Sequence, residues 1–325
     1  MASQRRPFLI DTDTASDDAV ALVMALKHAE VRVDAITVVA GNVPLKQGLV
    51  NALYTVELCG ATTPVFAGAD RPMLRKAVDA TWFHGSDGMG GQHYPRPKLK
   101  PRKQHAVDVI IDWARATADG TLVTLGPLTN IALAIQRDRS IVRRIRRCVV
   151  MGGAACTEGN VTPAAEYNIW CDPEAAQIVF TSGLNITMVG WELSRGDANL
   201  DRHDVAKLRR MDTPLSHFLV DCNRRSVAAN DEQSGEIGIP LPDPVAMAVA
   251  IEPKICTRQS RHLVQIETQS ELTRGMTVVD RLGVGNDPRN RNTWRTLART
   301  SKPVAVCWQI DVKGWKRMLF DLVAR

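Results

Sequence analysis

Apolar and polar positions alternate between two periods along most of this chain. Short β-branched or apolar runs of four to eight residues read as strands, and longer stretches with helical spacing separate them. Phe8–Ile10 and Ala35–Ala40 are strand-like, as are Pro64–Ala67, Thr121–Leu125, Cys148–Met151 and Ile186–Val189. Helices are predicted over Asp18–Lys27, Leu45–Cys59, Val107–Ala116 and Leu128–Gln136. Asp172-Pro173 and Asp243-Pro244 each place a capping acid before a proline that suits the first helical turn. Later strands are expected near 262–267, 276–279 and 304–310, before an amphipathic helix from Val312. The alternation predicts an α/β fold: one large, open, mostly parallel sheet with a Rossmann-like core, helices on both faces and an elaborated C-terminal half. One domain over residues 1–325 is the simplest account. Residues 79–105 and 221–243 fit the alternation poorly, being rich in Gly, Pro or polar residues, and are expected to be loops that close over a site.

Composition narrows the classes. Of 325 residues, 45% are hydrophobic and 23% charged, an ordinary globular balance that excludes a disordered or fibrous chain. No apolar run approaches the roughly 18 residues needed to span a bilayer, and the apolar run at Phe8–Ile10 is too short for a signal peptide. Seven scattered cysteines with no CxxC pair suit a reduced, cytoplasmic protein. The net charge of +6 raises the question of nucleic acid. Its densest source is the arginine run at 137–147, without any recognisable nucleic-acid motif, so a solvated face is expected there and no nucleic-acid partner. Arg289–Arg295 reads as a similar charged loop.

The chemistry lies in the acidic minority. Asp11, Asp13, Asp17 and Asp18 fall within eight residues, between the first strand and the first helix. Capping accounts for one or two of them, with Ser16 or Asp17 as the cap. Four crowded carboxylates at the carboxyl end of a strand call for a cation, and all-oxygen donors suit a hard ion, Ca²⁺ or Mg²⁺. In a parallel sheet, Asn42, the carbonyl of Leu125, Met151 and Asp243 would converge on the same edge.

This pattern resembles the inosine–uridine-type nucleoside hydrolases. Asp11–Asp18 followed by Ala19-Val20-Ala21 matches their N-terminal DxDxxxDDA signature. Gly41-Asn42, His84-Gly85, LGPLTNIALA at 125–134, VVMGG at 149–153, EGNVTPAAEYNIWCDPEAA at 158–176, Asp243-Pro244 and the block at 275–280 follow in order. The resemblance implies hydrolysis of the N-glycosidic bond of ribonucleosides with bound Ca²⁺, in a homodimer or homotetramer. Asp13, Asp18, the Leu125 carbonyl and Asp243 would ligate the ion, and Asp13 would be the general base. Asp17, Asn42, Asn160, Glu166 and Asn168 would hold the ribose, with Met151 against the sugar and Asp11 in support. Many members place a histidine before the aspartate of the Asp-Pro pair, and here that residue is Pro242. His84 remains as a catalytic candidate on the leaving-group side. Another branch stacks purines between tryptophans, which makes Trp82 a substrate-binding candidate. Arg224 is a second, on the loop expected to approach the base. These features lean towards purine or broad specificity.

Two other classes compete. An aspartyl-phosphate-type phosphatase also carries DxDx(T/V) after its first strand, but Ala15 stands at the Thr/Val position and the blocks at 149–176 go unused. A non-catalytic nucleoside- or ribose-binding protein would account for Pro242.

Overall fold

The computed structural model describes residues 5–324, apart from the side chains at 291, 293, 295, 298 and 300. The first four residues and the charges of Arg291 and Arg295 thus lie outside the described set. Ten strands form in chain order among the described residues. They are β1 (Arg6–Thr12), β2 (Val31–Val38), β3 (Val65–Ala67), β4 (Thr121–Thr124) and β5 (Arg147–Met151). Then come β6 (Ile186–Val189), β7 (Cys256–His262), β8 (Val264–Ile266), β9 (Thr277–Val279) and β10 (Val304–Ile310). Eight of them make one sheet in the order β3-β2-β1-β4-β5-β6-β10-β7. Every pairing in it is parallel except β10 with β7. The α/β sheet expected from the alternation is therefore present, with one antiparallel edge.

Side chains alternate across the sheet, so each strand feeds two cores. Phe8, Ile10, Val149 and Met151 enter one core with the helices Ser16–Lys27, Leu45–Leu58, Pro242–Ile251 and Val312–Val323. Leu9, Cys148 and Val150 enter the other, under Ala106–Ala116, Thr129–Arg137 and Pro173–Thr181. Pro242–Ile251 is apolar all round beyond Asp243 and buried from that residue on, as a helix packed between sheet and helices must be.

Three expectations need correction. Residues 221–243 are mostly helical: Pro214–Cys222 and Arg224–Ser234 are helices, and irregular chain is confined to the stretch after Ser234. The polar composition reflects a helix with a narrow buried stripe, not a loop. The charged stretch from Arg289 enters the helix Arg291–Thr300. β7 was not anticipated, because CTRQSRH has no apolar alternation: its five central residues are all exposed on the outermost strand. Residues 79–105, by contrast, hold only the short helical turn Thr81–His84.

Candidate active site

The carboxyl ends of β1, β2, β4 and β5 meet the start of helix Pro242–Ile251 at one edge of the sheet. β1 ends in the acidic run. Asp11 is buried, and its Oδ1 accepts from Thr37 Oγ1 at 2.5 Å and from Asn130 Nδ2 at 2.8 Å. Burial pushes its carboxyl up to about 7 despite these bonds. Asp18 closes the first turn of its helix by accepting from the Ala15 N–H at 3.0 Å, and it also accepts from Thr12 Oγ1 at 2.6 Å. The cap position is therefore Ala15, and neither Ser16 nor Asp17 serves it.

Asp13 has no room around it. One oxygen accepts from the Asn42 N–H at 2.5 Å, and the other, Oδ1, is buried without a partner. Gly41 and Gly126 flank it: a Cβ on Gly126 would sit 2.7 Å from Oδ1, and one on Gly41 would strike Oδ2. Asp17 Oδ1 and Asp243 Oδ2 are likewise buried and orphaned. Oxygens of Asp17, Asp18 and Asp243 lie within 4.8 Å of one another. Among the described residues no lysine or arginine pairs with this group, and only His84 Nδ1 approaches, 3.8 Å from Asp17. Burial, then the neighbouring carboxylates, drive Asp13 and Asp243 well above the usual carboxylate range and Asp17 to about 8. Orphaned oxygens that repel one another in a dry site are consistent with a metal site, and their chemistry suits a hard divalent cation.

A cavity opens beside this centre. Asp17, Asn42, Leu125 and Asp243 line it, while Asp13 and Asp18 are fully buried and do not. Met151, Asn160, Glu166 and Asn168 form one wall. Much of that wall is already hydrogen-bonded. Glu166 caps helix Tyr167–Cys171, accepting from the N–H groups of Asn168 and Gly153, both at 2.8 Å. Asn168 Nδ2 donates to the Leu125 carbonyl at 2.7 Å, tying a predicted ribose-binding residue to a predicted metal ligand. Asn42 Nδ2 reaches Asp18 at 3.4 Å, and Asn160 Oδ1 accepts from the Tyr167 N–H at 2.9 Å.

The opposite wall carries Trp82 and His84. Trp82 is 49% exposed at the mouth, and His84 is buried with Nδ1 2.8 Å from Ser16 Oγ. Burial holds the imidazole neutral, with its pKa lowered to about 3. Arg224 does not reach the cavity: it is exposed and faces a separate groove. Ser226, Asn230 and Gln233 of the same helix line the cavity instead. They are spaced four and three residues apart on one face, and Arg224, two residues before Ser226, projects from the other. Sequence reasoning also missed Arg195, which lines the cavity but pairs with Glu158 and, at 2.9 Å, with Glu236. Its spacing from those partners gave no local signal.

A parallel sheet with an all-carboxylate centre and an amide-lined pocket at its carboxyl edge defines a small-molecule enzyme. The model of the inosine-uridine preferring nucleoside hydrolase family matches residues 8–317, and the chain belongs to that family. It is a nucleoside hydrolase, acting on N-glycosyl compounds. The pyrimidine-specific ribonucleoside hydrolase of Shewanella sp. (strain MR-4) is 38% identical over 98% of this chain and 96% of that protein. The corresponding protein of Photobacterium profundum is 40% identical over 88% of this chain and 92% of that one. Among solved structures, a plant nucleoside hydrolase superposes with a TM-score of 0.89 at 30% identity, covering 98% and 99% of the two chains. The purine-preferring ribonucleoside hydrolase of Gardnerella vaginalis gives 0.87 at 30% identity, covering 98% of each chain. No helix among the described residues is long and apolar enough to cross a membrane.

Proposed function

We propose that this protein is a calcium-dependent ribonucleoside hydrolase of broad base acceptance that includes purines. The observation that carries the metal is the set of orphaned, buried oxygens on Asp13, Asp17 and Asp243. Asp13, Asp18, Asp243 and the Leu125 carbonyl would hold the ion, and Asp17 belongs to the same cluster by distance. Bound there, Ca²⁺ supplies the positive charge that keeps these carboxylates ionised and polarises water and ribose hydroxyls.

Asp13 is assigned as general base. It takes the proton from the water that attacks C1′ as the glycosidic bond breaks through an oxocarbenium-like ribosyl cation. Its fixed position, between two glycines and the Asn42 N–H, supports this role. Asp17, Asn42, Asn160, Glu166 and Asn168 are assigned to the ribose hydroxyls, with Met151 beneath the sugar. Glu166 is held by backbone donors, so its oxygens are oriented before substrate arrives.

On the base side, Trp82 offers a ring at the mouth for stacking, which tolerates either base size. Relatives with both pyrimidine-specific and purine-preferring names match the chain, at 38% and 30% identity, which supports a reading that includes both base classes. His84 is assigned as hydrogen-bond donor to the leaving base, since Pro242 has no side-chain donor.

The test is a reducing-sugar assay with inosine, adenosine, uridine and cytidine, before and after chelation. Ribose release from purines and at least one pyrimidine, lost on chelation and restored by Ca²⁺, is expected. Release from pyrimidines alone would overturn the base assignment. Full activity without metal would overturn calcium. Single-turnover assays with no ribose release, calcium bound, would favour a binding protein.

A further inference from the structure

The leaving-group wall holds one contact that the roles above leave unused. Ser16, at the first turn of its helix, is 1% exposed, and its Oγ lies 2.8 Å from His84 Nδ1. We propose that Ser16 is a positioning residue: its hydroxyl donates to His84 Nδ1 and fixes the tautomer that carries its hydrogen on Nε2, the nitrogen open to the cavity. The proposal rests on the reading of this cavity as a nucleosidase site.

The direction of the bond follows from counting donors. A hydroxyl has one hydrogen and must place it when buried. Among the described residues Nδ1 is the sole partner of Ser16 Oγ. Were Nδ1–H the donor, the serine hydrogen would have no protein acceptor among the described residues and only the cavity, which Ser16 also lines, to face. Asp17 Oδ1, at 3.8 Å from Nδ1, is beyond hydrogen-bonding reach. A ring whose Nδ1 accepts carries its hydrogen on Nε2. Among the described residues Nε2 has no protein partner, and it is not sealed from solvent. His84 lines the cavity, two residues beyond Trp82.

The chemistry closes without an extra reagent. The C1′–N bond breaks and its electron pair stays on the base nitrogen. Charge spreads over the base ring, where the Nε2–H group donates a hydrogen bond. The hydrogen stays on His84, because an imidazolate is far too basic to form. The base then takes a proton from solvent, and Asp13 returns to solvent the proton it took from water. Water adds its oxygen to C1′, so ribose and neutral base are the products. The opposite tautomer would present a bare nitrogen lone pair to a departing anion.

Two measurements test this on the full-length protein with calcium. The first compares inosine and uridine with p-nitrophenyl β-D-ribofuranoside, whose phenolate leaves unaided. Ser16→Ala is expected to lower kcat on the nucleosides roughly 10- to 100-fold, with KM almost unchanged. The p-nitrophenyl substrate should keep its rate to within about threefold, and Ser16→Thr should recover most of the nucleoside rate. His84→Ala should show the same split. Equal losses on both substrates, or no loss on either, would overturn the role of Ser16. The second is ¹⁵N NMR of the histidine-labelled wild type, with His84 assigned through His84→Ala. An Nε2–H tautomer is expected, and an Nδ1–H tautomer overturns the proposal even where Ser16→Ala does not fold. A wild type inactive on all three substrates would instead sink the nucleosidase reading itself, and would do so without reference to the tautomer.

Discussion

Two groups of buried carboxylates sit within one sheet edge and behave in opposite ways. Glu166 and Asp172 are finished. Glu166 accepts from three backbone N–H groups. Asp172 accepts from Met73 N, Thr129 Oγ1 and Ala175 N, at 2.9, 2.7 and 3.1 Å. Asp13, Asp17 and Asp243 each keep a buried oxygen with no partner among the described residues. The difference lies in hydrogen-bond partners: the first pair has its oxygens taken up by the fold, the second group has oxygens left over. Burial alone does not make that distinction, because both groups are nearly inaccessible. The count of partners separates these five, and Asp11 and Glu192 carry orphaned oxygens as well.

The strongest test of this contrast is Asp13→Ala. Loss of roughly 10³-fold or more in kcat on inosine is expected, with a folded protein by circular dichroism. Retention of activity within tenfold of wild type would remove Asp13 from the chemistry. Asp172→Ala should do the reverse. Losing a helix cap and a tie to the 73-segment should cost about 2 kcal/mol in urea unfolding, with kcat changed less than about threefold. A large fall in kcat at unchanged stability would blur the two groups.

Glu192 sharpens the comparison from a third position. Its Oε2 is buried and unpartnered, and burial raises its carboxyl to about 7 from an ordinary 4.5. It lies outside the metal cluster. The folded protein holds this proton more tightly than the unfolded chain, so the group favours folding at low pH. That contribution is lost as pH rises from about 4.5 through about 7. Glu192→Gln should therefore flatten the decline in Tm between pH 5 and pH 8. An unchanged slope would mean that Glu192 is paired in solution. Arg224→Ala should have the smallest effect, with kcat/KM on any nucleoside within about twofold of wild type, since the side chain faces away from the cavity. A tenfold change would restore Arg224 to the substrate wall.

Much of this was legible along the chain. The buried parallel strands announced themselves as β-branched runs, and Asp172-Pro173 marked its helix because the cap and the fixed proline φ act locally. The acidic run was visible for the same reason: four carboxylates in eight residues cannot all be caps. The partners were not visible. Asp11 meets Asn130 from 119 residues away, and Ser16 meets His84 from 68. Nothing within a window of sequence encodes those distances. A polar stretch with no apolar period reads as a loop, in which a side chain such as Arg224 can turn inward. As a helix it obeys a period, and the period turns it out. The helices Arg202–Met211 and Arg224–Ser234 escaped notice because each buries only a thin stripe: Leu208 in the first, and Ser226, Ala229 and Asn230 in the second.

The outermost strand has a bearing on life in a concentrated solution. β7 ends the sheet with its far side unpaired, and an open strand edge is a template on which another strand can grow. Here the template presents Arg258 and Arg261, both exposed. A second copy laid edge to edge in antiparallel fashion would bring arginine towards arginine. The edge is thus charged rather than apolar, a composition that disfavours growth of the sheet by edge pairing.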